Sequence, residues 1–145
     1  MKPLSRICLS LTVLLLGACA STPDSGPSAQ VMPLAAKDID VKGCGLTLTQ
    51  PKGGTLFVVS QSGDARIRLG KELLKLKRKS AEGDTLPGGQ RERQTFVDAT
   101  GMVSVHLTLT PTGIVDDKAR TVTAKVEVDT PSGFNLLDMA GLTGC

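Results

Sequence analysis

Residues 102–110 read Met-Val-Ser-Val-His-Leu-Thr-Leu-Thr, and from Val103 onward apolar and polar side chains alternate. Valine or leucine occupies each odd-numbered position, whereas serine, histidine or threonine occupies each even-numbered one. An alternation of period two places apolar side chains on one face of a β-strand and polar side chains on the other. The stretch therefore predicts a half-buried strand, and its period recurs along much of the chain.

Further short alternating segments lie on both sides of this strand, and turn residues such as glycine, proline and aspartate separate them. These segments cover residues 46–49, 55–61, 65–69, 95–99 and 121–128. About six to eight short strands with such turns are typical of an all-β antiparallel sandwich or small barrel. We therefore expect one small all-β domain.

The segments between these strands leave other structures open. Residues 71–79 continue the alternation, which favours a strand, although they also contain good helix formers. Residues 80–93 are polar and rich in glycine, so we expect a mobile surface loop there, and we expect residues 111–118 to form a turn region. Near the C-terminal end, Asn135 could cap one short helical turn over residues 136–140.

The first 19 residues have the pattern of an export signal. Lys2 and Arg6 precede a mostly apolar run over residues 7–16, which is shorter than the roughly 20 apolar residues of a spanning helix. The run ends in Leu16-Gly17-Ala18-Cys19, which resembles the lipobox of bacterial lipoproteins. The resemblance implies a diacylglycerol thioether on Cys19, cleavage before this residue, and usually a third acyl chain on the new amino group.

This resemblance divides the chain into three parts. Residues 1–18 would be a removed signal peptide, residues 19–43 a lipidated cysteine with a flexible tether, and residues 44–145 a single domain. The later part of the tether could start to pack through Val31, Met32 and Leu34. The alternative is ordinary secretion, because small residues around Ala18 also fit a standard cleavage site. Ala20, rather than aspartate, follows the lipobox cysteine. In the Gram-negative lipoproteins that the pattern resembles, this implies the outer membrane, with the domain facing the periplasm.

The four cysteines reduce to two under this interpretation. Cys8 would leave with the signal peptide, and Cys19 would carry lipid. Cys44 and Cys145 then remain at the two ends of the domain, in an oxidising compartment where disulfides persist. We predict a disulfide between them, and the alternative is a pair of free thiols.

Composition argues against a nucleic-acid partner. The formal net charge of +3 falls to +1 once Lys2 and Arg6 are removed, so the mature domain has no strong basic excess. The chain contains three phenylalanines and neither tryptophan nor tyrosine, so platforms on which bases stack are missing.

The strongest surface signal is a cationic segment, in which residues 66–79 contain seven basic side chains and one acidic side chain. If the strand alternation holds, four of these cations share one face of the sheet: Arg66, Arg68, Lys75 and Lys77. The functional interpretation is a surface for an anionic lipid headgroup, a lipopolysaccharide phosphate or an acidic periplasmic protein. The alternative is an ordinary solvated face.

No pattern of catalytic or metal-binding residues accompanies this segment. His106 is the single histidine and lies on the polar side of its predicted strand, and no Gly-x-Ser-x-Gly nucleophile motif occurs. Two cysteines and one histidine do not make a zinc ligand set. We therefore expect a protein that is not an enzyme and has neither a cofactor nor a bound metal.

A second resemblance concerns Ser60-Gln61-Ser62-Gly63, followed by Ala65-Arg66. These residues resemble the Ser-Ala-Ser-Gly-Ala-Arg motif of the membrane-bound inhibitors of C-type lysozyme, with Asp64 as an insertion. The resemblance implies that Ser60 or Ser62, together with Lys71, enters the cleft of a target enzyme. The sequence thus predicts a non-catalytic envelope binding module, and the alternative is a periplasmic inhibitor or immunity protein against a cell-wall lytic enzyme.

Overall fold

A computed structural model describes residues 30–39 and 43–145, so the predicted signal peptide, the lipobox-like residues and Cys19 lie outside the described residues. Within these ranges the chain forms nine strands and two short 3-10 turns, Ala36–Asp38 and Pro87–Gly89. The strands are β1 (Val31–Met32), β2 (Gly45–Thr49), β3 (Thr55–Ser60), β4 (Asp64–Leu69), β5 (Glu72–Leu86), β6 (Gln90–Asp98), β7 (Ser104–Asp116), β8 (Ala119–Thr130) and β9 (Gly133–Gly144).

Strands β2 to β9 form a closed barrel. Each strand pairs antiparallel with the next, and β9 returns to pair with β2, so eight strands complete the circle. Strand β1 adds to β4 outside this circle. The all-β antiparallel prediction is confirmed, and of the two predicted architectures the chain adopts the barrel. Some strand ends extend past a neighbour, as β9 does past β2 over residues 133–139.

The interior of the barrel contains the predicted apolar positions. Val103, Val105, Leu107 and Leu109 are at most 2% exposed, whereas the polar residues between them reach the outer surface. Phe57 and Phe96 meet edge to face near the centre, with their ring centroids 5.5 Å apart. A barrel of eight strands is just wide enough for side chains to fill it, which is what these residues do.

The barrel closes along the ladder between β2 and β9, which joins the first and the last barrel strand. The ladder spans five residue pairs, and the Cys44–Cys145 disulfide lies directly beyond it. The predicted disulfide is therefore present, and it links positions 101 residues apart. We call the end of the barrel that contains this bond the disulfide end. The opposite end is the entry end, because the described chain begins there, where the Gly70 N–H donates to the Gln30 carbonyl at 2.8 Å.

The prediction of a mobile loop over residues 80–93 is wrong. This segment forms the C-terminal half of β5, the turn at Pro87–Gly89 and the first residues of β6. The two strands pair with each other up to that turn. Two register shifts bend the hairpin, as β-bulges do. Its tip folds across the disulfide end, where Gly88 has φ near +69° and approaches the backbone of Gly45 and Gly144 too closely to allow a Cβ atom. The glycines that suggested a loop instead permit this close approach.

Two further local predictions are wrong for the same physical reason. Residues 136–140 are not helical, because β9 pairs with β8 along its whole length and also with β2 at its end. Strand β7 continues to Asp116, so the predicted turn region over residues 111–118 shrinks to the two residues after it. In both places, backbone pairing with a neighbouring strand outweighs the local signal. The strand predicted over residues 71–79 is confirmed, and the helical alternative is excluded.

Residues 30–39, in the later part of the predicted tether, pack on the outside of the barrel. The Leu34 N–H donates to the Thr55 carbonyl at 2.8 Å, and the Leu34 side chain is buried. On β3, Leu56 and Val58 alternate with inward-facing residues and are nevertheless buried. The segment therefore lies over an apolar patch on the outer face of β3 and beside the arginines of β4.

Candidate binding surface

The predicted cationic face lies on the outer surface of β4 and β5. Arg66 is directly opposite Lys75 and Asp64 is opposite Lys77, so these side chains project from the same side of the sheet. The alternating residues between them, such as Ile67 and Leu76, are buried in the barrel. The predicted division of this hairpin into a basic outer face and an apolar inner face is thus confirmed, but the four cations have different surroundings.

The two arginines are engaged with the N-terminal segment. Arg68 Nη2 lies 2.8 Å from a carboxylate oxygen of Asp38, and Arg66 Nη1 donates to the Asp38 backbone carbonyl at 2.9 Å. Asp38 is only 7% exposed, so its charge needs a partner. Arg68 supplies the ion pair, whereas Arg66 makes no ion pair within the described part of the chain. Both arginines hold residues 30–39 on the barrel.

The two lysines are exposed. Lys77 forms an ion pair with the exposed Asp64, and Lys75 has no acidic partner within 4 Å among the described residues. The hydrogen bond from Lys77 is the largest cause that holds the pKa of Asp64 below its ordinary value, and the Ser62 hydroxyl adds to it. Asp64 therefore balances the charge of Lys77, whereas no carboxylate among the described residues balances the charge of Lys75.

A groove of about 420 Å³ opens between β4, β5 and β6. Its walls carry three basic and two acidic side chains, and a large part of its lining surface is apolar. The lining residues are Asp64, Ala65, Arg66, Lys75, Leu76, Lys77, Val97, Asp98 and Ala99. Three of the four predicted face cations thus border one concave site, and Arg68 is not among them.

The second carboxylate of this groove is held by its own turn. Asp98 accepts hydrogen bonds from the Thr100 hydroxyl at 2.6 Å and from the Val103 N–H at 3.1 Å. Burial raises the pKa of Asp98, but these hydrogen bonds outweigh that effect and leave its pKa below the ordinary value. Asp98 is therefore ionised and already occupied by donors, and the cations dominate the part of the groove that a ligand can reach.

The serine turn and Lys71 do not form one site. Ser60 ends β3 and Ser62 lies in the β3–β4 turn at the disulfide end, where their hydroxyls are 2.8 Å apart and Ser62 donates to Asp64 at 3.0 Å. Lys71 lies in the β4–β5 turn at the entry end. The six residues of β4 separate them, which is about 20 Å at 3.3 Å per residue.

A buried polar cluster at the disulfide end was missed by the sequence analysis. Arg78 follows Leu74 and Leu76 in the inward-facing register, and its guanidinium lies 5.8 Å from the centroid of the Phe96 ring. Arg78 Nη2 donates to Gln90 Oε1 at 3.2 Å, and Gln94 Nε2 donates to the same oxygen at 3.2 Å. Burial lowers the pKa of Arg78. The alternation over residues 74–78 contained this signal, since an arginine stands at an apolar position.

His106 lies on the outer face of β7, as predicted. Its Nδ1 is 3.1 Å from the Thr95 hydroxyl, and its Nε2 is 3.7 Å from an Asp129 carboxylate oxygen. Within residues 30–39 and 43–145, no group of three histidine, cysteine or acidic side chains is placed to hold a metal ion.

Comparison with known proteins adds no family: no family model, no curated protein and no solved structure matches this chain. In the part of the chain that the structure describes, no helix has the length and apolar character needed to cross a bilayer.

Proposed function

We propose that this chain is a lipid-anchored binding module of the outer membrane, which faces the periplasm and binds an anionic group without catalysis. The anionic group belongs to an envelope lipid, to lipopolysaccharide or to an acidic periplasmic protein. Anchoring occurs through acyl chains on Cys19, since two such chains suffice to hold a protein stably on a bilayer.

The groove between β4, β5 and β6 is the observation that supports this proposal. Arg66 and Lys75 bring positive charges without a carboxylate partner among the described residues, and both carboxylates of the groove are already engaged. These positive charges would attract an anion that binds in the groove. The apolar part of its lining suits a ligand that has both an anionic group and an apolar part.

The anchor is tested separately from the groove. We expect Cys19→Ser to abolish acylation and to release the chain from the membrane fraction. Mass spectrometry of the purified wild-type chain should show the acyl groups. A Cys19→Ser chain that still fractionates with the outer membrane would contradict the anchoring proposal.

The groove is tested with the Cys19→Ser chain, so that acyl chains do not mask weaker binding. The double variant Lys75→Gln with Lys77→Gln removes two charges from the groove. The control double variant Lys118→Gln with Lys125→Gln removes the same charge from exposed sites elsewhere. The probes are phosphatidylglycerol vesicles, lipopolysaccharide and a pull-down from periplasmic extract, which together distinguish the three sources of the anion.

We expect the groove variant to lose affinity for one of these probes, whereas the control variant retains it. Wild-type binding should fall steeply with salt, because exposed charges are screened over about 8 Å at physiological ionic strength. Both variants should unfold within about 0.5 kcal/mol of the parent, as is usual for exposed substitutions. Equal binding by both variants to every probe would contradict a role for the groove.

The alternative of an inhibitor or immunity protein remains a hypothesis that no particular observation favours. Its site residues Ser60, Ser62 and Lys71 lie at opposite ends of the barrel, so only the serine turn is left as an inserting loop. Activity of a C-type lysozyme in the presence of the chain would test it directly.

A further inference from the structure

Three large apolar side chains are exposed at the entry end of the barrel. Met102 is 59% exposed in the β6–β7 turn, and on β9 Phe134 is 58% and Leu136 54% exposed. Phe134 is paired with Asp129, which is paired with Ser104, only two residues after Met102. Phe134 on β9 is thus two strand spacings of about 4.8 Å each from β7, which begins two residues after Met102. The three side chains belong to one local surface.

On one side, this surface extends past the neighbouring strand. Strand β2 extends along β9 only as far as Ala140, whereas β8 pairs with β9 as far as Gly133. The tip of the β8–β9 hairpin therefore stands beyond the neighbouring β2 strand, and it carries Phe134 and Leu136. A hairpin tip with exposed apolar side chains is suited to contact a flat surface.

The described chain begins at this same end. In an up-and-down barrel, the β2–β3, β4–β5, β6–β7 and β8–β9 turns all lie at one end. Gln30 is hydrogen-bonded to Gly70 of the β4–β5 turn, so the segment that leads back to Cys19 leaves from this end. Eleven residue steps separate Cys19 from Gln30, and a chain of that length spans at most about 40 Å.

We propose that the entry end of the barrel rests on the lipid bilayer, with Met102, Phe134 and Leu136 in its interface. This inference rests on the proposed acylation of Cys19, which brings the entry end close to the lipid. The exposed Lys52 and Lys71 in turns of the same end are placed to meet anionic headgroups. Asp129, beside Phe134, limits the contact to headgroup depth, where apolar side chains and charged groups coexist.

The composition of the chain makes this contact measurable, because it has neither tryptophan nor tyrosine. Phe134→Trp places a single fluorophore in the proposed interface. Ile114→Trp places one at a residue that is 75% exposed and belongs to the β7–β8 hairpin at the disulfide end. Met102→Trp serves as a second reporter at the entry end. Each acylated full chain is reconstituted into phosphatidylethanolamine and phosphatidylglycerol vesicles, with or without brominated acyl chains.

We expect the brominated chains to quench Phe134→Trp and Met102→Trp at least about twofold more than Ile114→Trp, with emission at shorter wavelength, because only the entry end meets the acyl region. Equal quenching at both ends, or none at the entry end, overturns the docking proposal. Flotation of the vesicles is the separate measure of the anchor. A chain that does not float contradicts the anchoring and the docking together, whereas a floating chain with unquenched entry-end reporters contradicts the docking alone.

Discussion

The arginine row on β4 and the lysine row on β5 occupy the same outer face of the barrel, yet their environments differ. Arg66 and Arg68 are partly buried and hold residues 30–39 through Asp38. Lys75 and Lys77 are exposed, and they border the groove. Strand alternation decides which side of a sheet a residue faces, but a segment packed on that side decides whether its charge is available.

This difference assigns the two rows different tasks. A cation that satisfies a buried carboxylate contributes to stability, because removing it leaves an uncompensated buried charge. An exposed lysine contributes little to stability and remains available to a ligand. The sequence predicts the four cations as one binding surface. The structure instead separates stabilising arginines from accessible lysines, with Arg66 participating in both the segment contact and the groove.

The largest expected effect comes from a change that alters neither row. Cys44→Ser with Cys145→Ser removes the bond beside the β2–β9 ladder and should lower the free energy of unfolding by about 2–5 kcal/mol. Denaturant titration measures the loss. At a temperature where the variant is folded, groove binding should match that of the parent, because the disulfide is at the end of another strand pair. Altered binding by the folded variant would show that closure shapes the groove.

The next effect separates the rows directly. Arg68→Gln leaves the buried Asp38 carboxylate without its ion pair and should cost about 2 kcal/mol, less than the loss for a fully buried pair because Arg68 retains some exposure. Hydrogen exchange should increase over residues 30–39. Adding Asp38→Asn should restore part of the stability, since the uncompensated charge is then gone. An Arg68→Gln variant as stable and protected as the parent would contradict the stabilising role of the arginine row.

The smallest effect concerns pH and the lysine row. Lys77 holds the pKa of Asp64 below its ordinary value of 3.8, so the stabilisation from this pair is complete above that pH and is lost as the pH falls through the lower folded-state pKa. We expect the free energy of unfolding to fall more between pH 7 and pH 3 in the parent than in Lys77→Gln. Denaturant titrations at both pH values measure the difference. Identical losses would show that the pair does not contribute to stability.

Several features of this protein could be predicted from local sequence, because they depend on short-range rules. The alternation over residues 103–109 predicted a strand and its buried face, and the same rule placed Arg66 and Lys75 on one side of the sheet. The lipobox resemblance assigned Cys8 to the signal peptide and Cys19 to lipid. Two cysteines were then left to pair in the oxidising compartment that the same resemblance implies. Each of these inferences needed only neighbouring residues or a count.

Other features were decided by tertiary structure. Residues 80–93 and 136–140 carry loop and helix signals, but pairing with adjacent strands satisfies their backbone groups and makes both segments β-structure. Arg68 meets Asp38 across 30 residues of sequence, and Lys71 lies one strand length away from the serine turn that its motif placed beside it. Local patterns determine which way a side chain points from its own strand. Only the closed barrel determines which distant groups it meets there, because those contacts arise when strands pair and segments pack over them.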